Sequence, residues 1–338
     1  MKTNQLAGKS AAYYAAINWN QVEDMIDKHT WDKANSQFWL DTRIPVSNDL
    51  DDWRALGPIE SDTYAKVFAG LTLLDTIQSQ DGNRIIQLAS RTPQEFAVFN
   101  QITYMESVHA KSYSTVFSSL LNKREINEVF EWVNNNEPMQ KKAKIIDSIY
   151  KYGADHPDDN IAQMKVKVAS VFLESGLFYS GFYMPLWYLG NNKLINAAEI
   201  IKLILRDESL HGTYIGYKFQ LAMNDLEASG KQEQADELRA WVYELAVELY
   251  ENEEEYVKEL YYDMGWEEDV NIFVRYNFNK ALMNMGIDPI FPDTAADVNP
   301  IVMNGISTGS SNHDFFSNVG NSYLIGIVEA MRDSDYDV

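Results

Sequence analysis

Apolar residues recur at three- and four-residue steps through most of the chain, the repeat of a helix that buries one face. Tyr64, Val67, Phe68, Leu71 and Leu74 form such a stripe in a segment spanning 62–80. The same periodicity predicts helices over 94–121, 124–135, 138–151, 161–189, 193–229, 232–263 and 268–285. The first long helix is introduced by Gly57-Pro58-Ile59-Glu60-Ser61-Asp62, where Ser61 or Asp62 is suited to capping its free N–H groups. Breaks fall at Gly153-Ala154-Asp155-His156-Pro157 and Gly190-Asn191-Asn192. An all-α protein is expected.

Two regions lack this repeat. The first sixty residues, rich in tryptophan and aspartate, read as irregular. After about residue 288 the chain carries Pro289, Pro292 and Pro300 and then Gly305-Ile306-Ser307-Thr308-Gly309-Ser310-Ser311-Asn312, a composition that favours turns. The expected organisation is therefore a helical domain over 1–288 and a flexible tail over 289–338, closing in the acidic stretch Asp333-Ser334-Asp335-Tyr336-Asp337-Val338.

Composition narrows the chemistry. With 28 basic and 50 acidic residues the 338-residue chain has a formal net charge of −22, which repels nucleic-acid phosphates and anionic lipid surfaces. Neither direct nucleic-acid binding nor membrane attachment is expected. There is no cysteine, so thiolate metal sites, disulfides and cysteine nucleophiles are excluded. The N-terminus has no basic region followed by an apolar run, and no segment is apolar for the roughly 18 residues needed to span a bilayer. A cytoplasmic location is expected.

Charged residues that fall on the apolar stripes are the informative departure, because a buried carboxylate is costly unless its charge is compensated. Asp75 follows Leu71 by one helical turn. Ile102, Glu106, His109, Tyr113 and Val116 describe one stripe, Val171, Glu174 and Phe178 a second, and Ile201, Ile204, Glu208, His211 and Ile215 a third. Residues three apart on a helix project side by side, so Glu106/His109 and Glu208/His211 each present a carboxylate and an imidazole from one wall. A ferritin-like four-helix bundle builds its dimetal-carboxylate site from one carboxylate on each of two helices and a Glu-x-x-His pair on each of the other two. Asp75, Glu106, His109, Glu174, Glu208 and His211 supply that full set. Oxygen and imidazole donors without sulfur favour iron or manganese. His29, His156 and His313 have no carboxylate at helical spacing and read as surface residues. Spacing alone leaves Tyr113 as either a core tyrosine beside the metals or a redox-active one.

The stretches Leu71-Thr72-Leu73-Leu74-Asp75-Thr76, Met105-Glu106-Ser107-Val108-His109-Ala110-Lys111-Ser112-Tyr113, Val171-Phe172-Leu173-Glu174-Ser175 and Arg206-Asp207-Glu208-Ser209-Leu210-His211-Gly212 together resemble the small, radical-generating subunit of class I ribonucleotide reductase, in its shorter class Ib form. The resemblance implies a ferritin-like bundle with added helices and two manganese or two iron ions per chain. It implies that Tyr113 is oxidised to a stable radical, with Phe178, Phe182 and Ile204 forming the apolar pocket around it. It further implies that Asp207 hydrogen-bonds His109 and a tryptophan near the N-terminus, matched here to Trp31, and that Tyr323 in Asn321-Ser322-Tyr323-Leu324-Ile325-Gly326 relays the radical onward.

On that reading the chain is the beta subunit of a ribonucleoside-diphosphate reductase, a homodimer active only with its large subunit, and a flavodoxin-like partner supplies the oxidant for a manganese centre. Ser175 and Tyr179 match positions lining an oxidant channel, and the acidic C-terminus matches a docking peptide, although its Asp335-Tyr336-Asp337-Val338 ending departs from the aromatic-ended tails of class Ib relatives. Two other readings of the metal ligands remain open: a related dimetal oxidase or hydroxylase, and a ferritin-type storage protein.

Overall fold

The computed structural model describes residues 16–307, and among these residues the ordered elements are all helical. In chain order they are α1 (Met25–Ser36), α2 (Leu50–Ala55), α3 (Pro58–Ile77), α4 (Asn83–Leu88), α5 (Pro93–Leu120), α6 (Lys123–Asn135), α7 (Glu137–Asp155), α8 (Asn160–Phe172), α9 (Tyr179–Gly190), α10 (Ile195–Ala228), α11 (Gln232–Tyr261), α12 (Glu267–Asn284) and α13 (Pro300–Ser307). The bundle that matters for the site is formed by α3 against α5 and by α10 against α8 and α9. Its interior is a continuous core that includes Phe68, Phe99, Phe172, Phe178, Phe182 and Ile204.

The predicted helices form with small shifts at their ends, which local chemistry explains. Pro58 opens α3, and the Glu60 carboxylate accepts a hydrogen bond from the Gly57 N–H at 2.7 Å. Thr92 caps α5 by accepting from Glu95 N–H at 2.9 Å, again with proline at the first turn.

Two stretches depart from regular helix. A π-helical turn succeeds α3 at Gln78–Gly82, and the helix expected over 161–189 is divided by a second at Leu173–Leu177. Each inserts an extra residue into a turn, which rotates the downstream side chains relative to the upstream ones. The second of them carries Glu174.

Two expectations are corrected. The first sixty residues are not uniformly irregular, because Asp24 caps α1 by accepting from Ile26 N–H at 2.9 Å, and buried charges pin that helix down. Lys218 Nζ lies 2.5 Å from Asp27 and 2.8 Å from Asp24, while Tyr214 donates to Asp27 at 2.8 Å and Thr92 at 3.0 Å. An apolar repeat cannot reveal a helix fastened by polar groups.

The helical body also runs past the expected boundary at 288. Asn299 accepts from Ile301 N–H at 3.0 Å, Pro300 occupies the first turn, and α13 lies along α9. Val298 and Val302 are buried, and a side chain at Gly305 would strike the backbone of Leu186. Glycine in α13 therefore serves close helix packing rather than a turn.

A second buried charge pair ties α7 to α11 and α9. Lys142 Nζ contacts Glu253, Ser180 donates to the same carboxylate, and the Lys142 ammonium sits 3.7 Å from the Tyr256 ring centroid. Burial pulls the Lys142 amine below its ordinary range, opposed by Glu253. Glu253→Leu strands that charge and is expected to cost about 3–5 kcal/mol in urea unfolding, whereas Lys142→Met with Glu253→Leu recovers most of the loss. Equal destabilisation of the single and double variants would show that the pair's charge balance is not what matters.

Candidate metal centre

Four helical paths bring six side chains to one point. Asp75 comes from the last turns of α3, Glu106 and His109 from the middle of α5, Glu174 from the π-turn between α8 and α9, and Glu208 and His211 from the middle of α10. All six are fully buried or nearly so. They form two donor groups, Asp75/Glu106/His109/Glu208 and Glu106/Glu174/Glu208/His211, with the ligand atoms of each group within 4.8 Å of one another.

Glu106 and Glu208 belong to both groups, and their individual oxygens divide between them. His109 Nδ1 is 3.5 Å from Glu106 Oε2 and 2.9 Å from Glu208 Oε1. His211 Nδ1 is 2.7 Å from Glu106 Oε1, 3.5 Å from Glu208 Oε2 and 3.4 Å from Glu174 Oε2. Each of these two carboxylates thus turns one oxygen toward each histidine, with Asp75 in the group of His109 and Glu174 in the group of His211.

The residues fit a pair of cations. Both oxygens of Asp75, Glu106 and Glu208, Oε2 of Glu174 and Nδ1 of both histidines are buried without a hydrogen-bond partner. Buried polar atoms left unpaired at this density are costly and need a compensating charge. Four carboxylates carry four negative charges when ionised, which two divalent ions neutralise. Burial, then neighbouring Glu106 and Glu208, push the Glu174 carboxyl well above its usual range, and burial does the same to Asp75, whereas Glu208 is held low against its burial by hydrogen bonds with Glu174 and the two histidines. Burial opposes protonation of both imidazoles, but the carboxylates around them override it and raise His109 and His211. Cations held by these residues would take the place of those protons.

Behind His109, Asp207 Oδ2 lies 3.2 Å from His109 Nε2 and accepts from Trp39 Nε1 at 2.7 Å. Since Nδ1 faces the ligand cluster, Nε2 carries the hydrogen and donates to Asp207, which fixes the ring's orientation. The indole and imidazole planes lie 19° apart with centroids 5.8 Å apart. The tryptophan on Asp207 is therefore Trp39 and not Trp31. Trp31 sits half-buried on α1, where its ring meets Trp19 at 5.3 Å, while Trp39 lies on the extended segment after α1 that reaches Asp207 on α10. Without a periodic pattern between these elements, only the tertiary contact separates the two.

Tyr113 is fully buried one turn after His109, packed edge-on against Phe68 at 5.8 Å. Burial and then the Asp75 charge push its phenol well above the ordinary range. Phe178, Phe182 and Ile204 are buried in the same core. Ser175 accepts from Asn284 Nδ2 at 3.2 Å, and glycine at 212 leaves the space its hydroxyl occupies. On α12, Asn284 comes after Lys280 and Tyr276 at four-residue steps, with Lys280 Nζ 5.2 Å from the Tyr276 ring. These α12 residues were not singled out by the sequence, and neither was Gln78, which contacts Glu174. His29 and His156 are exposed, as expected, while His313, Tyr323 and the acidic C-terminus lie outside the described residues.

Fold and site together define a helical protein of the dimetal-carboxylate class. The family model for the ribonucleotide reductase small chain matches residues 16–300. The chain is 47% identical over 324 residues to the ribonucleoside-diphosphate reductase subunit beta of Mycobacterium leprae, covering 96% of each. It is 43% identical to ribonucleoside-diphosphate reductase 2 subunit beta of Escherichia coli, covering 96% of this chain and 98% of that one. The crystal structure of dimanganese(II)-NrdF from Streptococcus sanguinis superposes with a TM-score of 0.82 at 61% identity, over 87% of this chain and 100% of that one. The chain belongs to the ribonucleotide reductase small-chain family, in its class Ib branch, and its activity is that of the beta subunit of a ribonucleoside-diphosphate reductase, which works with a large subunit. Among the described residues no helix is long and apolar enough to cross a membrane.

Proposed function

We propose that Asp75, Glu106, His109, Glu174, Glu208 and His211 hold two manganese or iron ions, that Tyr113 stores the radical, and that Trp39, Asp207 and Tyr323 carry it toward the large subunit. The observation that supports this reading best is the pair of buried donor groups sharing Glu106 and Glu208. When bound, the two ions supply the one-electron oxidation that no side chain performs alone. Asp75 is the carboxylate whose charge bears most strongly on the Tyr113 phenol. Phe68 packs against the phenol ring and helps to exclude water from it.

On the far side of His109, the Trp39 indole would give one electron to the Tyr113 radical, which takes up a proton and returns to the phenol, while the Trp39 Nε1 proton passes to Asp207 Oδ2 along the 2.7 Å hydrogen bond. The same oxygen keeps its contact with His109, so the carboxylate couples the two rings. In a storage protein or an oxidase acting on its own substrate, this connection would serve only to orient His109. In the same reading the chain is a homodimer, Ser175 and Tyr179 border the oxidant's path, with Asn284 steadying Ser175, and a flavodoxin-like activator delivers the oxidant when manganese is loaded.

Electron paramagnetic resonance tests the proposal. After loading with Fe(II) and dioxygen, or with Mn(II), a reduced flavodoxin-like protein and dioxygen, two ions per chain and a tyrosyl signal broadened by the metals are expected. Two ions without a radical under both conditions would leave an oxidase or storage role.

A further inference from the structure

Among the oxygens of the four ligand carboxylates, Glu174 Oε1 stands apart: it accepts a hydrogen bond from Gln78 Nε2 at 2.5 Å, while Glu174 Oε2 faces His211 and has no such partner. Gln78 is fully buried in the π-turn at the end of α3. Its second amide hydrogen meets Ser170 Oγ at 2.5 Å, and its carbonyl accepts from the Tyr150 hydroxyl at 2.6 Å. Both N–H donors and the carbonyl oxygen of this amide are therefore engaged, and its orientation is not free. A flipped amide would set its carbonyl against the Glu174 carboxylate and face its N–H₂ toward the Tyr150 donor.

The backbone makes room for this arrangement. A side chain at Gly82, in the same π-turn, would strike Gln78 Oε1 and come within 2.7 Å of the Tyr150 ring. Ser170 precedes Glu174 by one turn on the other interrupted helix, so the two π-turns face each other across the amide. A regular helical turn would rotate the residues beyond it to other directions.

We infer that Gln78 is a positioning residue that engages Glu174 Oε1 and leaves Oε2 alone for the metal, giving the ion beside His211 a one-oxygen terminal ligand from Glu174, with Tyr150, Ser170 and Gly82 holding the amide in place. The inference rests on the dimetal reading of the site. It concerns the group formed by Glu106, Glu174, Glu208 and His211 and acts on it through Glu174, which the group containing Asp75 and His109 does not include. A hydrogen bond from a neutral donor to a ligand carboxylate fixes its rotation and lowers its tendency to chelate through both oxygens.

The test is Mn(II) titration of the full chain, tracking bound and free ion by electron paramagnetic resonance, with wild type, Gln78→Leu and Tyr150→Phe compared at equal thermal stability. Wild type is expected to bind two ions. Gln78→Leu is expected to hold one of them as before, to bind the other about tenfold more weakly, and to change the spectrum of the coupled pair. Tyr150→Phe removes one hydroxyl and leaves the amide's contact with Glu174, so it is expected to shift the same ion's affinity in the same direction by a smaller factor; it carries the test if Gln78→Leu does not fold. Binding of fewer than two ions by wild type would overturn the dimetal reading itself. Two ions in wild type with an unchanged titration and spectrum in the variants, or equal weakening of both ions, would overturn the assignment to Gln78 alone.

Discussion

Tyr113→Phe is expected to bind two metal ions per chain as the parent does, to show no tyrosyl signal, and to lower ribonucleotide reduction with the large subunit by at least about a thousandfold, some 4 kcal/mol. The substitution removes one hydroxyl and keeps the ring that packs on Phe68. That hydroxyl is buried without a completed hydrogen bond, so its loss leaves no donor or acceptor stranded and costs little stability. Asp75, its neighbour, remains in place to bind metal. The lost element is the proton that must leave as the ring gives up an electron, and a phenyl ring has no such proton to release. Metal analysis, electron paramagnetic resonance and turnover of the reconstituted complex check the three parts separately. Turnover above a few per cent of the parent's would mean that the oxidising equivalent is stored elsewhere, and loss of metal would mean that the hydroxyl holds Asp75 in position.

The ligands were legible from the sequence because a charged residue on an apolar helical stripe announces itself: Glu106 and His109 fall on the stripe of Ile102 and Val116, and Glu208 and His211 on that of Ile204 and Ile215. The structure brings all six together from helices whose order and extent the same periodicity predicts. The sharing of Glu106 and Glu208 between the two donor groups was not legible, since it depends on which oxygen of each carboxylate faces which histidine. The π-turns were also hidden: a single extra residue does not disturb an apolar repeat enough to be seen, yet it sets where Gln78 and Glu174 point. Gln78 itself is a neutral polar residue beyond the last apolar position of its helix, where exposure is the ordinary expectation. In α13 the sequence signals misled in the opposite direction, because Pro300 begins a helix and Gly305 lets it pack, while both residues also favour turns.

Trp39 and Trp31 give the sharpest contrast available from single substitutions, because the resemblance pointed to one and the hydrogen bond to Asp207 belongs to the other. Trp39→Phe is expected to retain both metal ions and the tyrosyl signal while turnover with the large subunit falls by about a hundredfold or more, roughly 3 kcal/mol. Phenylalanine keeps an aromatic ring beside His109 but has no N–H to donate to Asp207 Oδ2, so this position loses its transferable proton along with the indole. Asp207 retains His109 and the neighbouring Arg206, 3.4 Å from its other oxygen, and the ligand geometry is expected to survive. Trp31→Phe, by contrast, changes a half-buried packing contact with Trp19 and is expected to leave radical yield and turnover within about twofold of the parent. Measuring both variants on the same preparation of large subunit separates the two positions without further assumptions about the C-terminal relay. Full turnover in Trp39→Phe would remove Trp39 from the path whatever its hydrogen bond, and loss of turnover in Trp31→Phe alone would return the role to α1.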